Sequence, residues 1–343
     1  MQPRIVQIVP TQLGGVRDYA EGLAQEWAKR GIDSELLPFD EAVARAESLA
    51  ERLLRRVPAD EPVRVLLHFS GYGYSRRALA FWLLRELSDA RRRIGARWHL
   101  VGMVHELFAS GPPWRSAFWL GALQARVVHR LAGLCDRVVT NSEHHAAWLR
   151  AHVPSGVPVR VAPVFSNMGE PADIRPATAR EPALVVFGSA STRARAFDLL
   201  GAYLGELRAL HIQRIVEAGP GPASRFSAAG MACSHVGEQT PAQLEELLQR
   251  YRYGLIDYPS FHLGKSGVFA AYAANGCIVL DTAADAIDAD GLRSGRHYLS
   301  LRPDAAAALK PRVADAMSRR LRTWYLAHRR GRQATEFLDD LLR

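Results

Sequence analysis

Apolar runs of strand length alternate with amphipathic helical segments along almost the whole chain. The runs at residues 5–9, 63–69, 98–104 and 137–140 predict strands, as do those at 183–187, 215–218, 233–237, 254–258 and 277–280. Between them apolar residues recur at helical spacing. Val16, Tyr19, Leu23 and Trp27 form the core face of the first helix, and Leu244, Leu247, Leu248 and Tyr251 that of a later one. Ser142 reads as an N-cap, Thr240-Pro241-Ala242-Gln243 as an N-cap with a first-turn proline and a capping-box glutamine, and Asn275-Gly276 as a helix stop. Such alternation predicts the α/β class, with parallel sheets covered by helices.

The alternation breaks once, over residues 168–182, where three prolines, little hydrophobicity and no periodicity predict a linker. With 343 residues the chain is long enough for two domains. The expectation is two doubly wound, Rossmann-like domains: an N-terminal one over 1–170, a linker over 171–182 and a C-terminal one over 183–318. A helical segment over 319–343 is expected to cross back to the first. Open α/β sheets bind ligands outside the carboxyl ends of their strands, so two facing domains would form a cleft lined by the loops after the strands.

Composition is that of an ordinary globular protein, with 48% hydrophobic and 23% charged residues. No apolar run approaches the roughly 18 residues of a membrane span, and the first is too short for a signal peptide, so the expected location is the cytoplasm. Cys135, Cys233 and Cys277 are isolated and odd in number, which predicts buried thiols instead of disulfides or zinc ligands. The net charge of +9 suits a phosphate-rich ligand, nucleic acid or an anionic membrane surface. It is spread over both halves, without a zinc finger, RNA-binding aromatic motif or basic-region helix, so no nucleic-acid partner is expected.

Four loops after strands carry candidate chemistry. Gly14-Gly15 lies between the first strand and the first helix, where glycine and free helix-end N–H groups suit an anion; a plain tight turn explains the pair equally well. Residues 258–267 run from a strand through Gly264 and Lys265 to Ser266 and Gly267 at the start of a small-residue helix. Their N–H groups and the ammonium can hold a diphosphate. Lys265 is one of only three lysines, with Lys29 and Lys310, in an arginine-dominated chain. Gly188, after the strand at 183–187, is followed by Arg193 and Arg195, either of which can fork onto phosphate oxygens. His105, just past the strand at 98–104, sits where substrate would lie and can bond a substrate hydroxyl or move a proton. His68 ends another strand, where a structural histidine is the commoner reading.

A further stretch, residues 112–120, mixes prolines, Trp114, Arg115, Phe118 and Trp119, with Arg76-Arg77 and Phe81-Trp82 upstream. Exposed aromatics beside arginines dock on a membrane interface or a lipid-linked molecule; the same residues on buried helix faces are simply core.

In order and spacing these features resemble the retaining family-4 glycosyltransferases of the GT-B fold over almost the whole chain. The resemblance rests on Gly14-Gly15-Val16-Arg17-Asp18-Tyr19, Val104-His105-Glu106, Val138-Val139-Thr140-Asn141-Ser142 and Val216-Glu217-Ala218-Gly219-Pro220-Gly221. It continues through residues 258–280, Asp290-Gly291 and residues 295–299. It implies transfer of a sugar from a nucleotide-sugar to an acceptor hydroxyl, with retention and without metal or cofactor. Joined to the aromatic-basic stretch and the positive charge, it leads to the expectation of a carbohydrate or lipid-linked acceptor and of peripheral contact to the inner membrane face. Gly15 would lie at the donor diphosphate, His105 near the transferred sugar, and Arg193 (or Arg195) and Lys265 would neutralise the leaving group. Leu263 and Ala271 stand where the family carries two glutamates, and Ser189 where it carries an arginine. An inactive GT-B module that binds a partner protein or polysaccharide is the competing implication.

Overall fold

The structure, a computed structural model, describes residues 4–109, 114, 116–227, 230–283 and 285–343. The chain divides into two compact units, residues 1–163 with 330–343, and residues 164–329.

Unit 1 contains strands β1 (Arg4–Val9), β2 (Asp33–Pro38), β3 (Val63–Phe69), β4 (Trp98–Val104), β5 (Arg137–Thr140) and β6 (Val159–Val161). Its helices are α1 (Gly15–Ala28), α2 (Glu41–Ala46), α3 (Leu49–Arg56), α4 (Gly71–Tyr74), α5 (Phe81–Ile94), α6 (Ser116–Ala132) and α7 (Glu143–His152). The strands form one parallel sheet in the order β2-β1-β3-β4-β5-β6. Its central strands are near-continuous apolar runs because helices cover both faces.

Unit 2 repeats the plan with β7 (Glu181–Phe187), β8 (Arg214–Ala218), β9 (Ala232–His235), β10 (Tyr251–Ile256), β11 (Ile278–Asp281) and β12 (Leu299–Ser300). Its helices are α8 (Ala190–Leu200), α9 (Leu204–Ala209), α10 (Pro241–Arg250), α11 (Gly267–Ala274) and α12 (Pro311–Leu326). This sheet is also parallel, in the order β12-β11-β10-β7-β8-β9. Tyr272 on α11 lies over the β7–β10 junction and donates to the carbonyls of Val185 (2.8 Å) and Leu255 (3.2 Å). Gly254 makes the room, since a Cβ there would come within 2.4 Å of the Tyr272 ring.

The last helix, α13 (Arg330–Leu342), belongs to unit 1. Trp27 donates its indole N–H to the Ala334 carbonyl (2.8 Å), and the buried Asp340 pairs with Arg137 (3.0 Å) and Arg160 (2.7 Å). Among the described residues no helix is long and apolar enough to cross a membrane.

The expected capping box at Thr240 and N-cap at Ser142 are present, and Gly276 takes φ +62 as a helix stop requires. Four expectations are corrected. The boundary between units falls at residues 163 and 164, before the expected linker over 171–182. That stretch is packed into unit 2: Ala177 is buried, and the Arg180 guanidinium bonds the Arg175 and Leu248 carbonyls. Within 319–343 only the part from Arg330 lies in unit 1, since α12 stays in unit 2. Tyr251 does not end a helix but begins β10, because it is extended and pairs with Glu181 of β7. Cys233 is exposed because β9 is an edge strand with open faces; Cys135 and Cys277 are buried.

Candidate functional site

Each sheet reverses its strand order at one point, and ligand-binding crevices form outside the carboxyl ends of strands at such points. In unit 2 the reversal lies between β7 and β10. The loop after β7 begins with Gly188 at φ +127, a conformation that favours glycine. The loop after β10 makes a 3-10 turn, Ser260–Lys265, and enters α11 through Ser266, whose hydroxyl accepts from the Phe269 N–H (3.2 Å). The two loops meet: a Cβ on Gly188 would lie 3.5 Å from Val268 at the start of α11. The sequence-predicted Gly188, Gly264, Lys265, Ser266 and Gly267 are thus brought together. The Gly264 carbonyl accepts from the Val164 N–H (2.8 Å), which anchors the turn, and Lys265 is half-buried at its end. The Ser266 N–H already donates to Leu263 (3.0 Å). First-turn donors open to a ligand are therefore those of Gly267 and Val268, and space around the Gly267 Cα is clear.

Arg193 has a different task from the expected one. It is 1% exposed and its Nε donates to Glu217 (2.7 Å), itself inside the otherwise apolar end of β8. Its Nη1 donates to the carbonyls of Gly188 (2.7 Å) and Pro220 (3.0 Å), and Nη2 to Pro222 (3.0 Å). The guanidinium ties the Gly188 loop to the Gly219-Pro220-Gly221 turn, and is engaged with protein on most of its donors. Burial alone would raise the Glu217 carboxyl; the bonds from Arg193 and the Ser224 N–H override it and hold the group below its ordinary value. Arg195, two residues along α8, is exposed.

Sequence reasoning missed Asp281, at the end of β11. It is fully buried; its Oδ1 accepts from the N–H groups of Tyr258 (3.3 Å) and Ala283 (3.1 Å), while Oδ2 has no hydrogen-bond partner among the described residues. Burial pushes the carboxyl up to about 8, with Asp257 and Asp285 adding to the rise against those two bonds. Asp285 in turn holds the Ser260 N–H (3.0 Å) and hydroxyl (3.0 Å) at the head of the 3-10 turn. An aspartate closing an apolar run was the available signal.

In unit 1 the reversal lies between β1 and β3. Gly14 caps α1 at φ +150 without a side-chain bond, and both Gly14 and Gly15 are exposed with clear space where a Cβ would be. Beside them three buried side chains form a directed series. Gln7 on β1 donates Nε2 to the Ala20 carbonyl (3.2 Å) and to Ser34 (3.0 Å). A carbonyl can only accept, so the amide orientation is fixed and Oε1 faces His68 Nε2 (2.8 Å). His68 therefore carries its proton on Nε2. Burial, with the neighbouring His105, holds its pKa well below the ordinary value, which leaves Nδ1 an acceptor. That atom faces His105 Nε2 at 3.3 Å, so His105 donates from Nε2. The His105 N–H and carbonyl are held by Phe69 (2.8 Å) and Asn141 (2.9 Å).

The aromatic-basic stretch is described only in part, with Pro112, Pro113 and Arg115 outside the described residues. Trp82 is core, as one reading expected, but Trp114, Phe118 and Trp119 are exposed.

No protein-family profile and no curated protein matches the chain. Solved structures match over its full length. HepE from Anabaena, in complex with UDP and glucose, is 12% identical with a TM-score of 0.59, covering 98% of this chain and 100% of its own. Trehalose-6-phosphate synthase OtsA is 11% identical with a TM-score of 0.63, covering 100% and 99%. An α-glucosyltransferase in complex with UDP and a 13-mer DNA containing a HMU base is 9% identical with a TM-score of 0.60, covering 100% of both chains. With its two parallel six-stranded sheets, the chain has the GT-B fold.

Proposed function

We propose that the chain is a glycosyltransferase that moves a sugar from a nucleotide-sugar to a hydroxyl of a carbohydrate or lipid-linked acceptor. Configuration is retained, no metal or cofactor takes part, and the enzyme works at the inner face of a membrane. The observation that carries this reading is the meeting of the Gly188 loop with the Lys265-bearing turn at the strand-order reversal of unit 2.

As the bond between the sugar's anomeric carbon and the diphosphate oxygen breaks, negative charge gathers on the leaving group. Lys265, Arg195 and the N–H groups of Gly267 and Val268 stabilise that charge more than they stabilise the intact donor, which is what accelerates a reaction. Gly14 and Gly15 offer the second anion-facing turn. Arg193 acts as a positioning residue for Gly188. His105, oriented by its bond to His68, hydrogen-bonds a hydroxyl of the transferred sugar. The acceptor oxygen forms the new bond from the same face, and its proton passes to the departing phosphate.

UDP-glucose is the first donor to try, because several matching structures carry UDP or UDP-glucose. One observation favours the competing reading of an inactive binding module. Leu263 and Ala271, at the positions of the family's glutamates, are buried apolar side chains and cannot grip a ribose. Calorimetry over a panel of nucleotide-sugars separates the two. Binding of one sugar nucleotide, lost in Lys265→Ala, supports transfer; binding of none establishes the module.

A further inference from the structure

Helix α6 buries one side and leaves the other uncovered. Gln124, Val127, Val128 and Leu131 face the protein, and Gln124 locks the helix in place by accepting from the Ala109 N–H (2.8 Å) and donating to the Arg77 carbonyl (2.9 Å). On the outer side Phe118 is 47% exposed, Trp119 70% and Leu123 42%, and Trp114 just ahead of the helix is 83% exposed. Soluble proteins seldom leave several large apolar side chains together in water without an occupant for them.

The outer side also changes character along its length. Trp119, Leu123, Arg126 and Arg130 follow one another at helical spacing, so a single stripe runs from aromatic to cationic, and Arg126, His129 and Arg130 are exposed. No Asp or Glu occurs anywhere from Ser116 to Ala132. Exposed Arg76 and Arg77 adjoin it through the Gln124 bond. An apolar edge with tryptophan, continued on the same helix by arginines and with no carboxylate of its own, matches the layers of an anionic bilayer surface: acyl boundary, then phosphate; Glu86 and Asp89 adjoin only the Arg130 end. A second copy of this helix would bring like charge against like charge, so self-association does not fit the pattern.

We infer that the outer side of α6 docks unit 1 on an anionic lipid bilayer. The acceptor of the transfer reaction is then a carbohydrate carried on a lipid in that bilayer. This last step rests on the sugar-transfer reading; the docking itself does not.

The test is sedimentation of the full chain with vesicles of phosphatidylglycerol and phosphatidylcholine, compared with phosphatidylcholine alone, in the absence of any donor. The wild type is expected to bind the anionic vesicles and to release with added salt. Trp119→Ser with Leu123→Ser should lower partitioning about tenfold or more, and Arg126→Glu with Arg130→Glu should remove the preference for anionic lipid. All four positions are on the surface, and unchanged circular dichroism and melting confirm that the variants are folded. No binding to anionic vesicles, or binding that the variants leave unaltered, overturns the proposal. So does a dimer in gel filtration that the Trp119 and Leu123 changes dissolve, since the occupant is then a second copy. Vesicle binding by a chain that binds no nucleotide-sugar would sink the transfer reading and leave the docking standing.

Discussion

The carboxyl edges of the two sheets are built from different materials. In unit 1 the organised groups are side chains rooted on neighbouring strands: Gln7 on β1, His68 on β3 and His105 at the end of β4, with His105 donating to His68 and His68 to Gln7. In unit 2 they are mostly backbone, two glycine-bearing loops and a helix start, with Arg193 behind them as a brace. A series of rings and amides fixes the protonation of one atom. Loops and helix ends instead shape a surface for an extended anion, and tolerate a poorer definition of any single atom. In the proposed transfer, unit 1 orients a single hydroxyl and unit 2 receives the charged chain of phosphates.

The largest effect should come from removing the brace. Arg193→Ala leaves Glu217 buried without its cation, and unit 2 should lose about 3–5 kcal/mol in denaturant unfolding. A loss below ~1 kcal/mol would mean that the loops hold themselves. Next is Lys265→Ala, which should lower transfer by about 10²–10³, or roughly 3–4 kcal/mol in the barrier, with the melting temperature unchanged. Lys265→Arg should restore only part, because a planar fork replaces a compact ammonium. Wild-type rates for the alanine variant would show that unit 2's edge does not receive the diphosphate.

Asp281 sharpens the contrast through pH. Its native pKa of about 8 lies above the ordinary carboxylate value, so its contribution is whole below roughly pH 4, where both states are protonated. As pH rises the unfolded chain ionises first, and stability falls until the native group ionises near 8. Between pH 6 and 8 this amounts to about 2 kcal/mol, and Asp281→Asn should flatten the fall. An identical pH profile in the variant would place the titration elsewhere. The smallest effect belongs to Gln7→Leu. Stability should drop by about 1 kcal/mol as the buried His68 Nε2–H loses its acceptor, while the ¹⁵N shifts of His68 and His105 change from one fixed tautomer to a mixture. Unchanged shifts would show that the rings need no orientation from β1.

The sequence made the architecture legible because parallel strands covered on both faces read as uninterrupted apolar runs, and because caps at Ser142, Thr240 and Gly276 are local chemistry. Strands β2, β6 and β12 escaped notice; β2 and β6 are edge strands, half-exposed and without a strong apolar signal, and β12 is two residues long. In the site, positions after strands were readable, but orientations were not. Arg193 and Arg195 look alike in sequence, yet two residues on a helix point some 200° apart, so one is buried while the other meets water. Glu217 within the run Ile215-Val216-Glu217-Ala218 held the missing clue, since a carboxylate inside a buried strand requires a cation. His68 reads as an ordinary structural histidine until Gln7 is seen to dictate its tautomer.

The return of α13 to unit 1 has a consequence for synthesis. A growing chain leaves the ribosome from its N-terminus, and domains commonly fold in that order. Here Trp27, Arg137 and Arg160 have their partners on a helix that follows the whole of unit 2 in the chain. Unit 2, uninterrupted in sequence, can close while unit 1 still waits with two unmatched guanidinium groups and an indole. Unit 1 can therefore be completed only after all of unit 2 has been made.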